Sequence, residues 1–380
     1  MKNLLYSLLF FIVLTNISCK RSVEKDTGRV EYANNVVSAQ SFSLYYEGDI
    51  AKLTVFEPWA NATEADIKEY VFYKNIKDVP DHYKNTTLIQ VPVKKVVVTS
   101  TTHIPSIEAV GKVNSIVGFP GLDYISTTSV RERIAEGKIV ELGQSDALNV
   151  ERILELEPDV VIASVMDGNN EALHLIEKSG IPVIYDGDWT EQTPLGKAEW
   201  VKLFGVLFNE QAKAENLFTT ITNEYNQVIN QLKTVTEQPT VMSGAMYQDV
   251  WYLPQGGSWV AKYFEDVKTN YLWKETEGTG SAALSFEQVL DKGKEAMYWI
   301  NPAQFESLDD IAKANSHYRE FSAFKNKKVY SLTARKGATG GSLFYELGPN
   351  RPDLVLKDLV SVFHPELLPN YQPTFILQLK

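Results

Sequence analysis

The sequence has one cysteine and little positive charge, and each shortage excludes a class of protein. With Cys19 as the only cysteine among 380 residues, the chain can form no intrachain disulfide and no cysteine-rich zinc site. Lysine and arginine number 37 against 48 acidic residues, which gives a formal net charge of −11. A broad nucleic-acid-binding face needs clustered basic side chains, so we expect no nucleic-acid partner.

The sequence also lacks the short motifs of common catalytic sites. Gly256-Gly-Ser258 lacks the closing glycine of a G-x-S-x-G nucleophile elbow, and no phosphate-binding G-x-x-x-x-G-K-[ST] occurs. The five histidines include no H-x-x-x-H pair that would indicate a zinc site. We therefore expect a protein that is not an enzyme and has no cofactor. An exported enzyme of unknown reaction and a structural surface protein remain the alternatives from other classes.

The apolar run near the start of the chain is too short to cross a bilayer. Residues 4–14 are eleven residues where a span takes about 20, but with Lys2 before them they fit a signal peptide. Ser18-Cys19 resembles a bacterial lipobox, from which Asn16 departs. We predict a lipoprotein signal peptide over residues 1–19 and acylation of Cys19, with an ordinary exported protein as the alternative. The protein would then lie in the cell envelope, periplasmic and lipid-anchored to a membrane.

The remaining sequence predicts a large folded body. Residues 20–40 are polar and predict a flexible tether. Residues 41–90 carry aromatic-rich alternation that predicts a small N-terminal β extension. From residue 91, apolar strands such as KKVVVTS and DVVIAS alternate with helical stretches, which predicts a parallel sheet with helices on both faces.

A long helical pattern divides the folded part into two. Residues 211–233 contain no proline or glycine and would span about 35 Å as one helix. A second set of strand and helix signals follows. We predict an α/β protein in which two Rossmann-like lobes with parallel-type sheets are joined by one long α-helix. The predicted parts are the N-terminal lobe, residues 91–192, linking helices, residues 193–238, and the C-terminal lobe, residues 239–380.

Several segments together carry a family resemblance. They are VPVKKVVVTSTTHIPSIEAVGKVNSIVGF, LGQSDALNVERILELEPDVVIAS, GIPVIYDGDW, LFGVLFNEQAKAENL, SFEQVLDKG, FKNKKVYSL and GPNRPDLVLKDLVSVFHPELLP. In this order, behind the lipobox-like segment, they resemble the periplasmic substrate-binding lipoproteins of ABC importers for ferric siderophores, haem and cobalamin, the class III type with a helical backbone. The resemblance covers about residues 91–368, and the extension at residues 41–85 is longer than this family usually has.

The resemblance implies a binding protein rather than an enzyme. It implies a monomer with a ligand cleft between its lobes, modest hinge motion, and an ABC permease with its ATPase as partners. A ferric siderophore is the first expected ligand, cobalamin the second and haem the third, an order that rests on how common each ligand is in the family. A free metal-ion receptor of similar fold is a weaker rival, because it would need several converging histidines.

The resemblance also implies two permease-docking glutamates, at positions 151 and 287. A carboxylate pairs with arginine in a planar, bidentate geometry, and two separated anchors fix an orientation. Glu151 and Glu287 each fall in the first turn of a predicted helix. A purely structural alternative exists there, since a glutamate favours the helix dipole and Ser285 with Gln288 makes a capping box.

The expected ligand cleft lies beyond the carboxyl ends of the strands, where open α/β sheets bind ligands. Aromatic side chains there would suit a broad chelate, and arginine or lysine would suit an anionic one. The imidazole of His103 could ligate haem iron or corrinoid cobalt directly, or be only a polar residue at a helix start. The predicted cleft residues are Thr101, Thr102, His103, Phe119, Met166, Asp167, Trp189, Tyr247, Trp251, Arg335 and Lys336.

Overall fold

The computed structural model describes residues 34–303 and 305–380. The predicted signal peptide, the lipidation site Cys19 and the tether up to residue 33 lie outside the described residues. Within the described ranges, no helix has both the length and the apolarity that crossing a membrane requires.

The N-terminal extension is a four-stranded sheet that packs on the N-terminal lobe. Its strands are β1 Phe42–Glu47, β2 Ile50–Val55, β3 Lys68–Tyr73 and β4 Thr87–Gln90. The first three pair antiparallel, and β4 runs parallel to β3. Alternation places Phe42, Leu44 and Leu53 on one buried face, which joins the core of the lobe. The Phe42 ring lies 4.4 Å from the ring of Trp200.

The N-terminal lobe contains a parallel sheet of spatial order β11-β10-β5-β6-β7. A short antiparallel pair, β8 with β9, follows β7. The strands are β5 Val96–Val98, β6 Ile116–Phe119, β7 Val140–Glu141, β8 Gly143–Gln144, β9 Ala147–Leu148, β10 Val160–Ala163 and β11 Val183–Tyr185. The helices between them are α1 His103–Ala109, α2 Thr128–Ala135, α3 Val150–Leu156 and α4 Glu171–Lys178.

Three helices follow this sheet: α5 Pro194–Glu199, α6 Val201–Leu207 and α7 Gln211–Gln231. Helix α6 was expected in the linking segment, but every one of its residues is buried and its apolar side chains belong to the core of the N-terminal lobe.

The long helix α7 contributes to the cores of both lobes. Its buried residues recur every three or four positions and therefore form one stripe along the helix. Ala214, Phe218 and Ile221 lie in the core of the N-terminal lobe. Tyr225 and Val228 lie in the core of the C-terminal lobe. The predicted joining helix is therefore a structural element shared by the two lobes.

The C-terminal lobe has a five-stranded sheet of order β15-β12-β17-β18-β19, in which only β19 is antiparallel to its neighbour. Strands β13, β14 and β16 form a separate antiparallel sheet. The strands are β12 Thr240–Ser243, β13 Ala245–Tyr247, β14 Val250–Pro254, β15 Asn270–Tyr271, β16 Ser281–Leu284, β17 Tyr298–Ile300, β18 Val329–Ser331 and β19 Leu377–Gln378. The helices are α8 Trp259–Asp266, α9 Phe286–Gly293, α10 Leu308–Ala314, α11 Ser322–Lys325, α12 Leu343–Leu347 and α13 Pro352–Phe363.

Residues 37–40, at the end of the predicted tether, are hydrogen-bonded to the folded part of the chain. The prediction that the flexible tether extends to residue 40 is therefore wrong. The backbone N–H groups of Val37, Ser38 and Ala39 donate to the Glu199 carboxylate at 2.6 to 2.9 Å. The N–H of Gln40 donates to the Glu191 carboxylate at 2.9 Å. Both carboxylates are buried. The polar composition of the segment indicated a tether, but its backbone N–H groups satisfy two buried acids.

The buried Glu199 also pairs with Lys202, whose Nζ lies 2.8 Å from one carboxylate oxygen. We expect Glu199→Ala to destabilise the protein by about 3–5 kcal/mol, because it removes the buried carboxylate nearest to the Lys202 ammonium and leaves the N–H groups of Val37, Ser38 and Ala39 without their acceptor. Glu215→Ala is the matched control. Glu215 pairs with the same Lys202 at 3.2 Å but is 43% exposed, so we expect a loss of about 0–1 kcal/mol. Urea unfolding of the two variants measures both losses of unfolding free energy. Equal losses would contradict the structural role assigned to Glu199.

Candidate ligand cleft

The carboxyl ends of the strands of the N-terminal lobe face the C-terminal lobe, and hydrogen bonds cross between the two lobes at several places, of which two involve side chains beside the cleft. The first is at Glu346 of α12, which is buried. Its carboxylate accepts the backbone N–H of Ser126 at 2.5 Å and that of Thr127 at 2.9 Å, and it also accepts the Thr127 hydroxyl. These donors lie at the start of α2, where unpaired N–H groups favour an anion.

The second crossing is at Asn350, next to α12. The Ser106 hydroxyl donates to the Asn350 side-chain oxygen at 2.6 Å. The Asn350 amide donates to the backbone carbonyl of Thr102 at 2.8 Å. We call the contacts of Glu346 and Asn350 the interlobe contact. Because each residue bonds to more than one group of the N-terminal lobe, the contact limits how far the lobes can separate without losing buried hydrogen bonds.

A pocket of about 250 Å³, which we call the tyrosine pocket, lies between the lobes at the ends of β5 and β6. Thr99, Thr101 and Phe119 line it from the N-terminal lobe. Tyr124 and Tyr345 also line it, one from each lobe, and both rings are half or more exposed. The site therefore offers hydroxyl groups at the strand ends and aromatic surface around them.

A larger pocket of about 690 Å³, the extension pocket, lies between the lobes near the end of β11. Trp189 and Glu191 line it from the N-terminal lobe, and Trp259 lines it from the C-terminal lobe with other residues of the segments 254–260 and 278–281. Glu57, Ala60 and Asn61 of the N-terminal extension line it as well. Its volume falls in the range of about 300–1,000 Å³ that is typical of small-molecule sites.

A third hollow of about 590 Å³ lies on the N-terminal lobe alone. Met166 and Asp167 line it, together with the segment that carries β8 and β9. It shares Ser145 with the tyrosine pocket, so the two are neighbours along the same edge of the sheet.

The structure brings five of the predicted cleft residues to these hollows. They are Thr101 and Phe119 at the tyrosine pocket, Trp189 at the extension pocket, and Met166 and Asp167 at the third hollow. The position of Trp189 is fixed by its indole N–H, which donates to the Val165 carbonyl at 3.1 Å.

Four other predicted residues lie apart from these hollows. Thr102 takes part in the interlobe contact through its carbonyl. Arg335 is half-buried and Lys336 is exposed, in a bridge with Ser342. Tyr247 is 70% exposed. Tyr247 lies away from the end of β12 because the chain turns at Gly244, which follows β12 and has a φ of +81°. The next strand, β13, belongs to the separate antiparallel sheet.

The predictions for His103 and Trp251 are wrong, because both side chains are buried. His103 is 1% exposed, with Nε2 at 3.2 Å from Asp186 Oδ2 and its ring 5.9 Å from that of Phe204. It points into the lobe and cannot ligate a metal in the cleft as placed. Trp251 is fully buried and stacks on Trp299 at 5.6 Å in the core of the C-terminal lobe.

His103 belongs to a buried polar cluster beneath the cleft. Burial raises the pKa of the Asp188 carboxyl, and the neighbouring Asp186 raises it further. Burial lowers the pKa of the Lys197 ammonium, which donates to the Asp188 carbonyl at 2.7 Å. Lys197 and Asp188 are thus bonded inside the lobe, whereas neither ring nitrogen of His103 makes a hydrogen bond among the described residues. Within the described ranges, no group of three His, Cys, Asp or Glu side chains is placed to hold a metal ion.

The two predicted docking glutamates are exposed at helix starts. Glu151 follows Asn149, whose side chain accepts the Arg152 N–H and caps α3. Glu287 lies in the first turn of α9, behind the capping box of Ser285 and Gln288. Its own backbone N–H and then the Ser285 hydroxyl lower the pKa of the Glu287 carboxyl, which favours its charged form. Each carboxylate is thus open to a partner.

The sequence did not indicate several residues of the cleft. Tyr124, Tyr345 and Glu346 lie in loops or short helices, and they reach the cleft only through the packing of one lobe on the other. Asn61 lies in the extension, for which no role was expected. Trp259 carried a signal in the sequence, because it follows Ser258, whose side chain caps α8.

Two lobes that share a long helix, with a cleft at the carboxyl edge of a parallel sheet, define a two-lobed solute-binding protein. The sequence profile of the family described as periplasmic binding protein matches residues 96–336, and the chain belongs to that family. Membership in this family gives the chain a substrate-binding role and an extracytoplasmic, envelope-associated location.

Known relatives and structures agree with this assignment. An uncharacterized lipoprotein of Methanocaldococcus jannaschii is 28% identical over 347 residues, which are 88% of this chain and 80% of the relative. A periplasmic haem-binding protein from Pseudomonas aeruginosa has a TM-score of 0.56 at 15% identity, over 76% of this chain and 98% of that one. An ABC transporter substrate-binding protein from Listeria monocytogenes has a TM-score of 0.52 at 17% identity, over 72% and 99%.

The burial of His103 leads to a prediction. We expect His103→Ala to reduce the free energy of unfolding by about 1–3 kcal/mol, because it removes the buried imidazole that lies 3.2 Å from the Asp186 carboxylate. The absorption band of any bound haem or cobalamin should stay unchanged. The control is His317→Ala, which removes an exposed histidine and should change neither quantity. Urea unfolding and absorbance spectra test this, and a band shift on His103→Ala with unchanged stability would show direct ligation.

Proposed function

We propose that this protein is the substrate-binding lipoprotein of an ABC importer, which captures a ferric siderophore between its lobes and delivers it to a membrane permease. The observation that carries the proposal is the extension pocket, which is formed by both lobes, has an adequate volume for a small chelate, and presents two tryptophans. Cobalamin or haem is the alternative ligand of the same site. An exported enzyme of unknown reaction is a weaker alternative.

The chemistry of the cleft suits a broad, partly apolar ligand. Trp189 and Trp259 supply apolar faces in the larger pocket, and the hydroxyl groups of Thr99 and Thr101 supply hydrogen-bonding groups in the smaller one. A metal chelate needs both, since its outer surface mixes ring or methylene carbons with ligand oxygens. The structural neighbour from Pseudomonas aeruginosa is a haem-binding protein, which supports a metal chelate as the class of ligand.

Delivery requires a docking surface, and Glu151 and Glu287 are the residues we assign to it. Both carboxylates are exposed, and each lies on a helix start of a different lobe. Arginines on a permease could pair with both glutamates only in one relative orientation of the two lobes. Docking at both positions would therefore depend on that orientation. Acylation of Cys19 would keep the protein on the membrane, and the lipoprotein relative supports that anchor.

The test separates ligand capture from delivery. Tryptophan fluorescence of the full-length protein in detergent is titrated with a ferric catecholate, a ferric hydroxamate, cobalamin and haem. We expect saturable binding of one of them at about micromolar dissociation constant or tighter. The double variant Glu151→Ala, Glu287→Ala should bind that chelate as the wild type does but should not support its uptake into cells.

The matched control replaces one exposed glutamate in each lobe outside these positions, Glu132→Ala with Glu366→Ala, and should preserve both binding and uptake. No binding of any chelate by the wild type would contradict the proposed function. Normal uptake by the first double variant would contradict only the docking role of Glu151 and Glu287.

A further inference from the structure

The N-terminal extension takes part in the ligand pocket. Glu57, Ala60 and Asn61, which belong to the segment between β2 and β3, line the extension pocket on the side of the N-terminal lobe. We call residues 56–61 the extension loop. The C-terminal lobe forms the opposite side of the pocket. A ligand that fills the pocket would therefore touch the extension loop, the N-terminal lobe and the C-terminal lobe.

The extension loop lies directly against the strand ends of the N-terminal lobe. The Glu57 carbonyl accepts the Thr190 hydroxyl at 3.2 Å. A Cβ atom at Gly187 would lie 2.2 Å from that carbonyl oxygen, so only glycine permits this approach. The indole of Trp59 also packs closely on a glycine, because a Cβ atom at Gly168 would lie 2.7 Å from the indole ring. The indole also meets the Tyr185 ring edge to face at 5.6 Å.

The sheet behind the loop is bonded to the same lobe. The N–H of Tyr185 donates to the Tyr70 hydroxyl of β3 at 3.0 Å. The N–H of Ser41, just before β1, donates at 3.0 Å to Glu191, which itself lines the pocket. The loop and the strand ends therefore form one surface, and the loop is not a separate flap over the cleft.

The ionisable residues of the pocket lining are both acidic, although Lys68 lies outside the lining at 5.4 Å from the ring of Trp59 in the extension loop. The ionisable residues that line the extension pocket are Glu57 and Glu191, and within the described ranges no lysine or arginine lines it. Lys197, nearby, is buried, with its Nζ bonded to the Asp188 carbonyl and 5.2 Å from the centre of the Trp259 ring. The aromatic face of Trp189 attracts cations, whereas the ring of Trp259 already has the Lys197 ammonium over it.

We propose that the extension loop is a ligand-contacting surface of the pocket and that it selects neutral or cationic metal chelates over anionic ones. The inference rests on the proposed function, since it takes the pocket to be the chelate site. An anionic chelate would place its charge near the exposed Glu57, with no lysine or arginine among the described residues that line the pocket, which is unfavourable in a partly closed site. A cationic chelate would gain an attraction to Glu57 and to the indole face of Trp189.

The experiment measures the affinity of the full-length protein in detergent for three probes of similar size. They are ferrioxamine B, a cationic ferric trihydroxamate; ferrichrome, an uncharged one; and ferric enterobactin, an anionic ferric catecholate. We expect the wild type to bind one or both hydroxamates at least about tenfold more tightly than the catecholate, a ratio that corresponds to about 1.4 kcal/mol.

Variants of the loop test its part in that selection. Glu57→Gln should weaken ferrioxamine B about fivefold or more and leave ferrichrome within about twofold, because only the cation loses an opposite charge. The matched control is Glu64→Gln, which removes an exposed carboxylate from the same β2–β3 connection outside the pocket and should change neither affinity. Asn61→Trp adds volume to the loop and should weaken every probe that the wild type binds.

The outcomes distinguish this inference from the proposed function. Binding of ferric enterobactin as tight as that of the hydroxamates, or equal effects of Glu57→Gln and Glu64→Gln on ferrioxamine B, would overturn the inference while the chelate receptor stands. Failure of the wild type to bind any of the three probes, or cobalamin and haem, would overturn both. Thermal unfolding of each variant confirms that it is folded before its affinity is compared.

Discussion

The single apolar stripe of α7 is the constraint on which the arrangement of the molecule depends. Its first half is buried in one lobe and its second half in the other, so neither lobe can rotate about the helix without exposing core side chains. The hydrogen bonds of Glu346 and Asn350 hold the lobes together on a second side. With the lobes joined at both places, the cleft is already formed in this structure without a ligand.

The extension is built into this arrangement through buried acids. A buried carboxylate is costly unless its oxygens accept hydrogen bonds, and Glu199 and Glu191 accept theirs from the N–H groups of residues 37–41. Burial raises the pKa of the Glu191 carboxyl, while those N–H groups and the Trp200 indole oppose the shift. The same acids thus hold the start of the extension and place its loop at the cleft.

The sequence allowed the elements to be predicted better than the directions of individual side chains. A run of residues without proline or glycine was enough to predict the long helix α7, since a helix of that length follows from the local sequence. Strand direction also fixed which edge of the sheet holds the cleft, which is why Thr101 and Trp189 were found. His103 and Trp251 failed because the same positions can point inward or outward, and only packing decides. Glu57 and Tyr345 reach the cleft from distant segments, which a single sequence does not reveal.

The most direct test of this account is a crystal structure of the protein with the chelate that binds most tightly in solution. The account predicts that the chelate lies between the lobes, in contact with Trp189 and Trp259 and within van der Waals distance of the extension loop, with His103 still buried against Asp186. A chelate bound outside the interlobe cleft, or one whose metal is ligated by His103, would contradict it.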